Sequence, residues 1–422
     1  MKIKFSLLVI FILALFGAVE KANAEETTDF FQSILVETPV PPMDKITYGN
    51  SLLEKLIAQP RTDFIDISNW NGVPSVEELE KLKSIGVKGV VILLSQGTYW
   101  TNKSASEQIA NAQKAGLVVS VYHYSMYSNI NDTIAEAEFF IKQVESLDLP
   151  PNTTLVNDLE DNYLLVNDSN GQANSRSEIT THALLFQNEL NKAGYPYIVH
   201  YTNPTFLLTH VTLPQIGRQN IWLAHYNLVQ GQSPIYQDFA AWQWGQAAYF
   251  IANRPVEVDA NLDYLGRFTQ KNLLVDYSKN YTYSTGAVYL KKDMNSYLTD
   301  GLTNEFRSYS AGSIVSTVGV TTNQSGVPRF VLSDGSYLST DKTEMIQILA
   351  GYFIELPKEL EVKENVKSYN NTYLNGSSVK EYKKGTKLSP KKLSVEKDGK
   401  TVFELPDESF LSAEKVLYNE ID

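Results

Sequence analysis

Asp158 and Glu160, two apart in Val156-Asn157-Asp158-Leu159-Glu160, are the side chains of this sequence best suited to acid–base chemistry. On an extended strand both point to one face, with α-carbons about 6.5–7 Å apart, and Leu159 turns the other way. Two carboxylates that close cannot both ionise freely, so one keeps its proton to higher pH. A protonated carboxyl beside an ionised one is the equipment for cleaving a glycosidic bond. Alone the motif is weak, because most Asp-x-Glu pairs are solvated surface charges. Asp66 and Asp259 strengthen it. Asp66 is flanked by Ile65 and Ile67, where an unpaired charge is costly to bury, and Asp259 ends the last predicted strand. Singly, each is as well explained by a cap or a loop hydrogen bond; together the four acids point to one acidic cleft.

Aromatic residues cluster around these acids in the sequence: Tyr122-His123-Tyr124, Tyr201, Trp222, Tyr226 and Trp242-Gln243-Trp244. Sugar rings expose apolar C–H faces that pack on such rings, although at least half of these side chains are expected in the core between barrel and helices. Other chemistries find little support. The five histidines show no metal-ligand spacing, cysteine is absent, and there is no Gly-x-Ser-x-Gly elbow. His123 is expected to orient a neighbour or fill the core, and no metal or cofactor is expected.

The elements that must position these residues alternate from Asp63 onward. Strands are predicted at 64–67, 87–94, 117–124, 154–159, 197–201, 221–224, 240–244 and 256–259. Helices are predicted at 76–85, with Ser75 as N-cap and Gly86 at its end, and at 104–115, 133–147 and 179–193. This alternation implies a parallel sheet. Roughly eight strands over about 200 residues suggest closure into a barrel, irregular where the last strands follow one another with little helix. First and last strands are then neighbours, and Asp66 and Asp259 reach one mouth.

Beyond Phe268 a tandem duplication appears. Tyr309, Gly312, Ser316, Gly326, Phe330, Leu332, Asp334, Ser336, Leu338, Ser339 and Lys342 recur 73 residues later, as Tyr382 through Lys415. Short strands and Gly-led turns suit two small all-β modules. The reading is therefore α/β: an irregular (β/α) barrel over 61–270, followed by modules at 271–350 and 351–422.

The chain starts with Lys2 and Lys4, an apolar run from Phe5 to Val19 and Ala22-Asn23-Ala24, the pattern of a leader cut after Ala24. The run is shorter than the ~20 residues that span a bilayer comfortably. A proline-rich stretch, Thr38 to Met43, marks residues 25–60 as an extension or linker. The net charge of −12 is uneven, −11 over residues 1–270 and −1 over 271–422. An acidic first region argues against nucleic acid as a partner.

In order and content these segments resemble glycoside hydrolase family 25, the muramidases of bacteria and their phages. The likeness runs from about Asp63 to Phe268. It rests on Phe64-Ile65-Asp66-Ile67-Ser68-Asn69-Trp70-Asn71-Gly72, the strand ending Tyr122-His123-Tyr124, and Asn157-Asp158-Leu159-Glu160. Tyr201-Thr202-Asn203, Ile221 to Tyr226, Ala241 to Trp244 and Val258-Asp259-Ala260-Asn261 follow in the family's order. The resemblance implies cleavage of the β-1,4 bond from N-acetylmuramic acid to N-acetylglucosamine, with Glu160 as proton donor. Asp158 would orient or charge-stabilise the acetamido group, and Asp66 and Asp259 would complete the acidic floor. Ser68, Gln96, Tyr122, Tyr124, Tyr201, Trp222, Tyr226, Trp242 and Gln243 would contact substrate. Leu93-Leu94-Ser95-Gln96-Gly97 departs from the family's Lys-x-Ser/Thr-Glu-Gly, an amide replacing an acid. Asn157 is expected to face away from the cleft.

The duplicated modules resemble bacterial SH3-like wall-binding repeats, especially Gly326 to Leu338. Eight lysines between Lys380 and Lys400 would suit anionic wall polymers, or form a plainly solvated face. The expectation is a secreted, wall-associated monomer of a Gram-positive bacterium acting on peptidoglycan glycan strands. The alternatives are a catalytically weakened wall-binding protein, and an amidase or peptidase, for which no metal or nucleophile is in view.

Overall fold

The computed structural model describes residues 62–421 except 168–169, 227–235, 252–253 and 324. The leader, its cleavage site and the proline-rich stretch lie outside the described residues.

Eight strands close a barrel: β1 (Phe64–Ile67), β2 (Gly89–Gln96), β3 (Val118–Tyr124), β4 (Leu155–Asp158), β5 (Ile198–Thr202), β6 (Ile221–Ala224), β7 (Ala241–Ile251) and β8 (Arg254–Asp263). Strands β1 to β7 run parallel in chain order, and β1 also pairs with β2. The wholly parallel expectation fails at β8, which forms a long antiparallel hairpin with β7 and pairs antiparallel with β1. A hairpin needs no crossover helix, so the last strand must run backwards. Asp259 consequently lies inside β8 rather than at its end, opposite Asp66 in register.

Four helices cover the barrel: α1 (Val76–Ser84), α2 (Ala105–Lys114), α3 (Ile130–Ser146) and α4 (Arg176–Lys192). Ser75 caps α1 in a reciprocal pair with Glu78, and Gly86 follows at φ 113°. Between β5 and β6 lie two short helices that the apolar pattern did not indicate, Pro204–His210 and Leu213–Ile216. Inside the barrel Phe64, Val91, Val156, Val199, Trp222 and Ala241 form one buried layer closed from below by Phe268, whose ring stacks on Phe64 at 4.5 Å. Gly89 makes room for that plug, since a Cβ there would lie 2.0 Å from the Phe268 carbonyl oxygen. By strand alternation the next inward positions are Asp66, Asp158, Tyr201, Gln243 and Asp259, so the apolar layer is the floor beneath the acids.

Two all-β modules follow the barrel and share the same turn. Ser336 N donates to Asp334 Oδ1 at 3.0 Å, and Ser409 N donates to Asp407 Oδ1 at 3.1 Å. Their cores are separate, around Phe330 and Leu338 in the first and Phe403 and Leu411 in the second. The first module is bonded to the barrel. Asn188 of α4 exchanges two hydrogen bonds with the Ser284 backbone, at 3.1 and 2.8 Å, and Gln187 and Asn191 both donate to the Val320 carbonyl. Arg267 reaches the Thr322 carbonyl at 3.2 Å. Buried polar contacts of this density fix the module as part of the barrel's wall.

Candidate active site

Asp66 is the best-anchored acid. Gln243 Nε2 donates to its two oxygens at 3.0 and 3.2 Å, and Asn261 Nδ2 donates to Oδ1 at 2.7 Å. Those amides are themselves oriented. The Tyr201 and Tyr226 hydroxyls donate to Gln243 Oε1 at 2.8 and 2.5 Å, and Trp222 Nε1 donates to Asn261 Oδ1 at 2.9 Å. Burial pushes the Asp66 carboxyl well above its usual range, the Asp259 charge pushes it further, and the Asn261 and Gln243 donors oppose both.

Asp158 lies at the end of β4, buried, and its Oδ1 has no hydrogen-bond partner. Burial first, then the charges of Glu160, Asp66 and Asp161, raise it well above the ordinary carboxylate range. Glu160 lies two residues beyond the strand end, in the loop, and is half-buried; the strand is shorter than the predicted 154–159. Burial, then Asp161 and Asp259, raise it too, though less than Asp158. The four acids therefore share one electrostatic environment, in which each ionisation opposes the next.

The sequence reading passed over two members of this group. Asp161 caps the turn after β4 by accepting from Tyr163 N at 2.9 Å, and with Glu160 and Asp158 it raises the Tyr124 hydroxyl, after burial. Asn261, noticed only as part of a motif, links Trp222 to Asp66. Asn261→Ala should lower kcat/KM at neutral pH by about tenfold or more, the worth of one hydrogen bond to a charged group. It should also move the acid limb of the pH profile upward, because the ionised form of Asp66 loses a donor. An unchanged profile would separate Asn261 from the site.

The remaining predicted contacts divide. Tyr122, Tyr124 and Tyr201 are partly buried among the acids, and the Tyr226 ring is exposed. Gln96 ends β2, its amide donating to Tyr99 Oη at 3.2 Å. Ser68 caps a short turn, accepting from Trp70 N. Trp222 and Trp242 need correction as sugar platforms. Trp222 is 2% exposed in the barrel floor, and Trp242, fully buried, donates to the His225 carbonyl. Gln243 faces inward, so its neighbour Trp242 must face out. Exposed rings come instead from loops after β1, β2 and β4: Trp70, Tyr99 and Tyr163, at 89%, 69% and 63%.

Behind the strands lies a second polar layer. His123 is buried between Ser95 Oγ and Glu136 Oε2, at 2.8 and 2.9 Å. Asn157 faces away from the acids, its amide bonding Tyr127 and His200 Nδ1, and His200 Nε2 bonds Gln187. Burial pushes His200 down to about 3, so it is a neutral spacer. The chain of bonds continues through Gln187 to the Val320 carbonyl, linking the residue beside Asp158 to the first module. Among the described residues no group of three or more His, Cys, Asp or Glu could hold a metal ion.

Residues 65–251 match the model of glycosyl hydrolases family 25. Residues 280–344 and 352–417 each match a domain of unknown function (DUF5776), not an SH3 model. Among solved structures, the CTP1L endolysin is 22% identical, with 48% of this chain and 67% of that one covered at a TM-score of 0.37. The modular autolysin LytC from Streptococcus pneumoniae is 19% identical, covering 47% and 46% at 0.39, so the match spans less than half of that protein. A family 25 glycosyl hydrolase from Bacillus anthracis is 20% identical, covering 48% and 88% at 0.37. No curated protein matches the chain. The match over residues 65–251 makes that segment a domain of glycosyl hydrolases family 25 and the chain a glycoside hydrolase.

Proposed function

We propose that the chain is a secreted N-acetylmuramidase, cutting the β-1,4 bond between N-acetylmuramic acid and N-acetylglucosamine of peptidoglycan. Glu160 donates the proton to the leaving oxygen. Asp158 holds the acetamido group of the sugar, and Asp66 with Asp259 sets the field beneath. The observation that carries this reading is the unpartnered Oδ1 of Asp158, a buried carboxyl whose proton affinity is raised, as are those of Glu160 and Asp66 beside it. A buried carboxylate oxygen without a donor is costly, and an acetamido N–H is a donor of the right kind. Accepting it stabilises the anion, so substrate binding would return Asp158 to its charged form while Glu160 keeps its proton. Trp70, Tyr99, Tyr163 and Tyr226 offer apolar faces for sugar rings along the mouth.

The two C-terminal modules, read as SH3-like wall binders, hold the enzyme on the wall, outside a Gram-positive cell. Anionic wall polymers are the weaker candidate ligand. Four of the eight lysines already pair with Glu381, Glu359, Glu404 and Asp398 at 2.9–3.2 Å.

Purified protein incubated with Gram-positive walls should release reducing ends that reduce to muramitol. Release of new amino groups instead would establish an amidase or peptidase. Sedimentation with walls but no reducing ends would favour the second reading, a catalytically weakened wall binder, for which Gln96 in place of an acid is the specific observation.

A further inference from the structure

The polar layer behind β2 and β3 has an acid of its own, Glu136 on α3, which is 4% exposed. Its Oε2 takes two bonds, from Met126 N and from His123 Nε2, both at 2.9 Å. A carboxylate can only accept, so His123 donates through Nε2 and turns Nδ1 to Ser95 Oγ, 2.8 Å away. Ser95 and His123 are both sealed from solvent.

Ser95 stands at a break in the strand. Leu93 is level with Tyr122 and Ser95 with His123, so Leu94 is an extra residue, a β-bulge. Asn102 fastens it, donating from Nδ2 to the Leu93 carbonyl and from its backbone to the Leu94 carbonyl, each at 2.9 Å. The bulge reverses the parity of the strand end. Counted from Val91 in the barrel's inner layer, strict alternation would turn Ser95 inward and Gln96 outward. With the extra residue, Ser95 meets His123 behind the sheet and Gln96 comes level with Tyr124 at the mouth. Tyr124 is the residue whose proton is held by burial first and then by the charges of Asp161, Glu160 and Asp158. Glu136 also secures the far side of Gln96. Through Met126 N it fixes the residue whose sulfur receives the Gln96 amide and the Tyr99 hydroxyl, both at 3.1 Å.

We propose that Ser95, His123 and Glu136 are positioning residues that lock the bulge of β2 and so aim Gln96, with Tyr99 beside it, at the substrate. The effect on substrate rests on the muramidase reading, whereas the aim of Gln96 does not, and it is measured first on the free, full chain. The Gln96 side-chain amide signals, assigned by their loss in Gln96→Ala, are followed by nitrogen-15 NMR. Ser95→Ala is the deciding variant, because it removes one hydroxyl and little packing. It should move the Gln96 signals to the position of a solvated glutamine, and Glu136→Gln should do the same. Signals that stay in place in Ser95→Ala overturn the proposal. Kinetics on a soluble glycan then test the consequence. Ser95→Ala and Gln96→Ala should each raise KM by about fivefold to tenfold and leave kcat within about twofold, the pattern of lost binding that is uniform along the reaction. The double variant should be no worse than Gln96→Ala alone, since both changes remove one contact. Additive losses, or a fall in kcat at unchanged KM, would leave the network a fold element only and overturn its role at the mouth. A wild-type chain that releases no reducing ends, while Ser95→Ala still moves the Gln96 signals, would sink the hydrolase reading and leave the positioning standing.

Discussion

Glu160→Gln should lower kcat on peptidoglycan by about 10²–10⁴-fold, the range that a positioned general acid contributes, with little change in KM and no loss of Tm. The structure explains why the damage should be so selective. Glu160 is in the loop just past β4, half-buried, and makes no hydrogen bond or ion pair among the described residues. An isosteric amide therefore removes a proton and no contact. Burial and the charges of Asp161 and Asp259 hold that proton above the ordinary glutamate range, so a larger fraction of molecules carries it near neutral pH. The alkaline limb of the kcat profile should report this group and should vanish in the variant. A substrate with an activated aryl leaving group needs no protonation, so it should recover much of the lost rate. Reducing-end release, a thermal melt and the aryl substrate together check the assignment, and full activity of Glu160→Gln on walls would sink it.

The sequence exposed the parts of this site that obey local rules. Ser75 with Glu78 announces the start of α1 because a cap is a four-residue pattern. Helices α3 and α4 start three residues before their predicted positions, because Asn129 and Ser175 cap ahead of the apolar periodicity. Strand direction has no local signature. Nothing in Val258-Asp259-Ala260-Asn261 says that β8 runs backwards, so Asp259 met Asp66 by register and not, as expected, at a shared strand end. The outward turn of Trp242 was legible, since alternation from the inward Gln243 demands it; aromatic type had outweighed parity. Gln187, Asn188 and Asn191 on α4 carry no local sign of being buried, as they are in the structure. Their partners, Val320 and Ser284, lie about a hundred residues away or more and belong to another module. Long-range polar pairing of that kind leaves no periodic trace, and it is what joins the first module to the barrel.

Asp158→Asn should raise the melting temperature at pH 7 while reducing hydrolysis by about 10²-fold or more. The sign follows from burial. In the folded chain Asp158 keeps its proton well above the ordinary value, through desolvation first and then Glu160, Asp66 and Asp161. Between the unfolded value of about 3.9 and the raised folded value, the folded state binds more protons than the unfolded state. Stability from this group is thus fully present below the unfolded pKa and is lost as pH rises through the folded one. Asparagine never ionises, so the variant should escape that loss. A gain of about 1 kcal/mol corresponds to roughly 2–4 °C in a domain of some 200 residues, and it should shrink toward zero near pH 3. Asp66→Asn should give no such gain, because Gln243 and Asn261 already donate to that carboxylate and an amide NH₂ would meet their donors. Melting curves from pH 3 to pH 8 separate the two outcomes. A lower Tm for Asp158→Asn at pH 7, or a difference independent of pH, would mean that Oδ1 has a partner in solution and is not held open for the substrate. The same free oxygen then predicts the proton balance of binding: an N–H donor at Oδ1 favours the anion, so wild-type protein should release protons on taking up glycan and Asp158→Asn should release fewer. Calorimetry in buffers of different ionisation enthalpy measures that difference directly, and it ties the stability that the fold gives up at Asp158 to the contact the substrate restores.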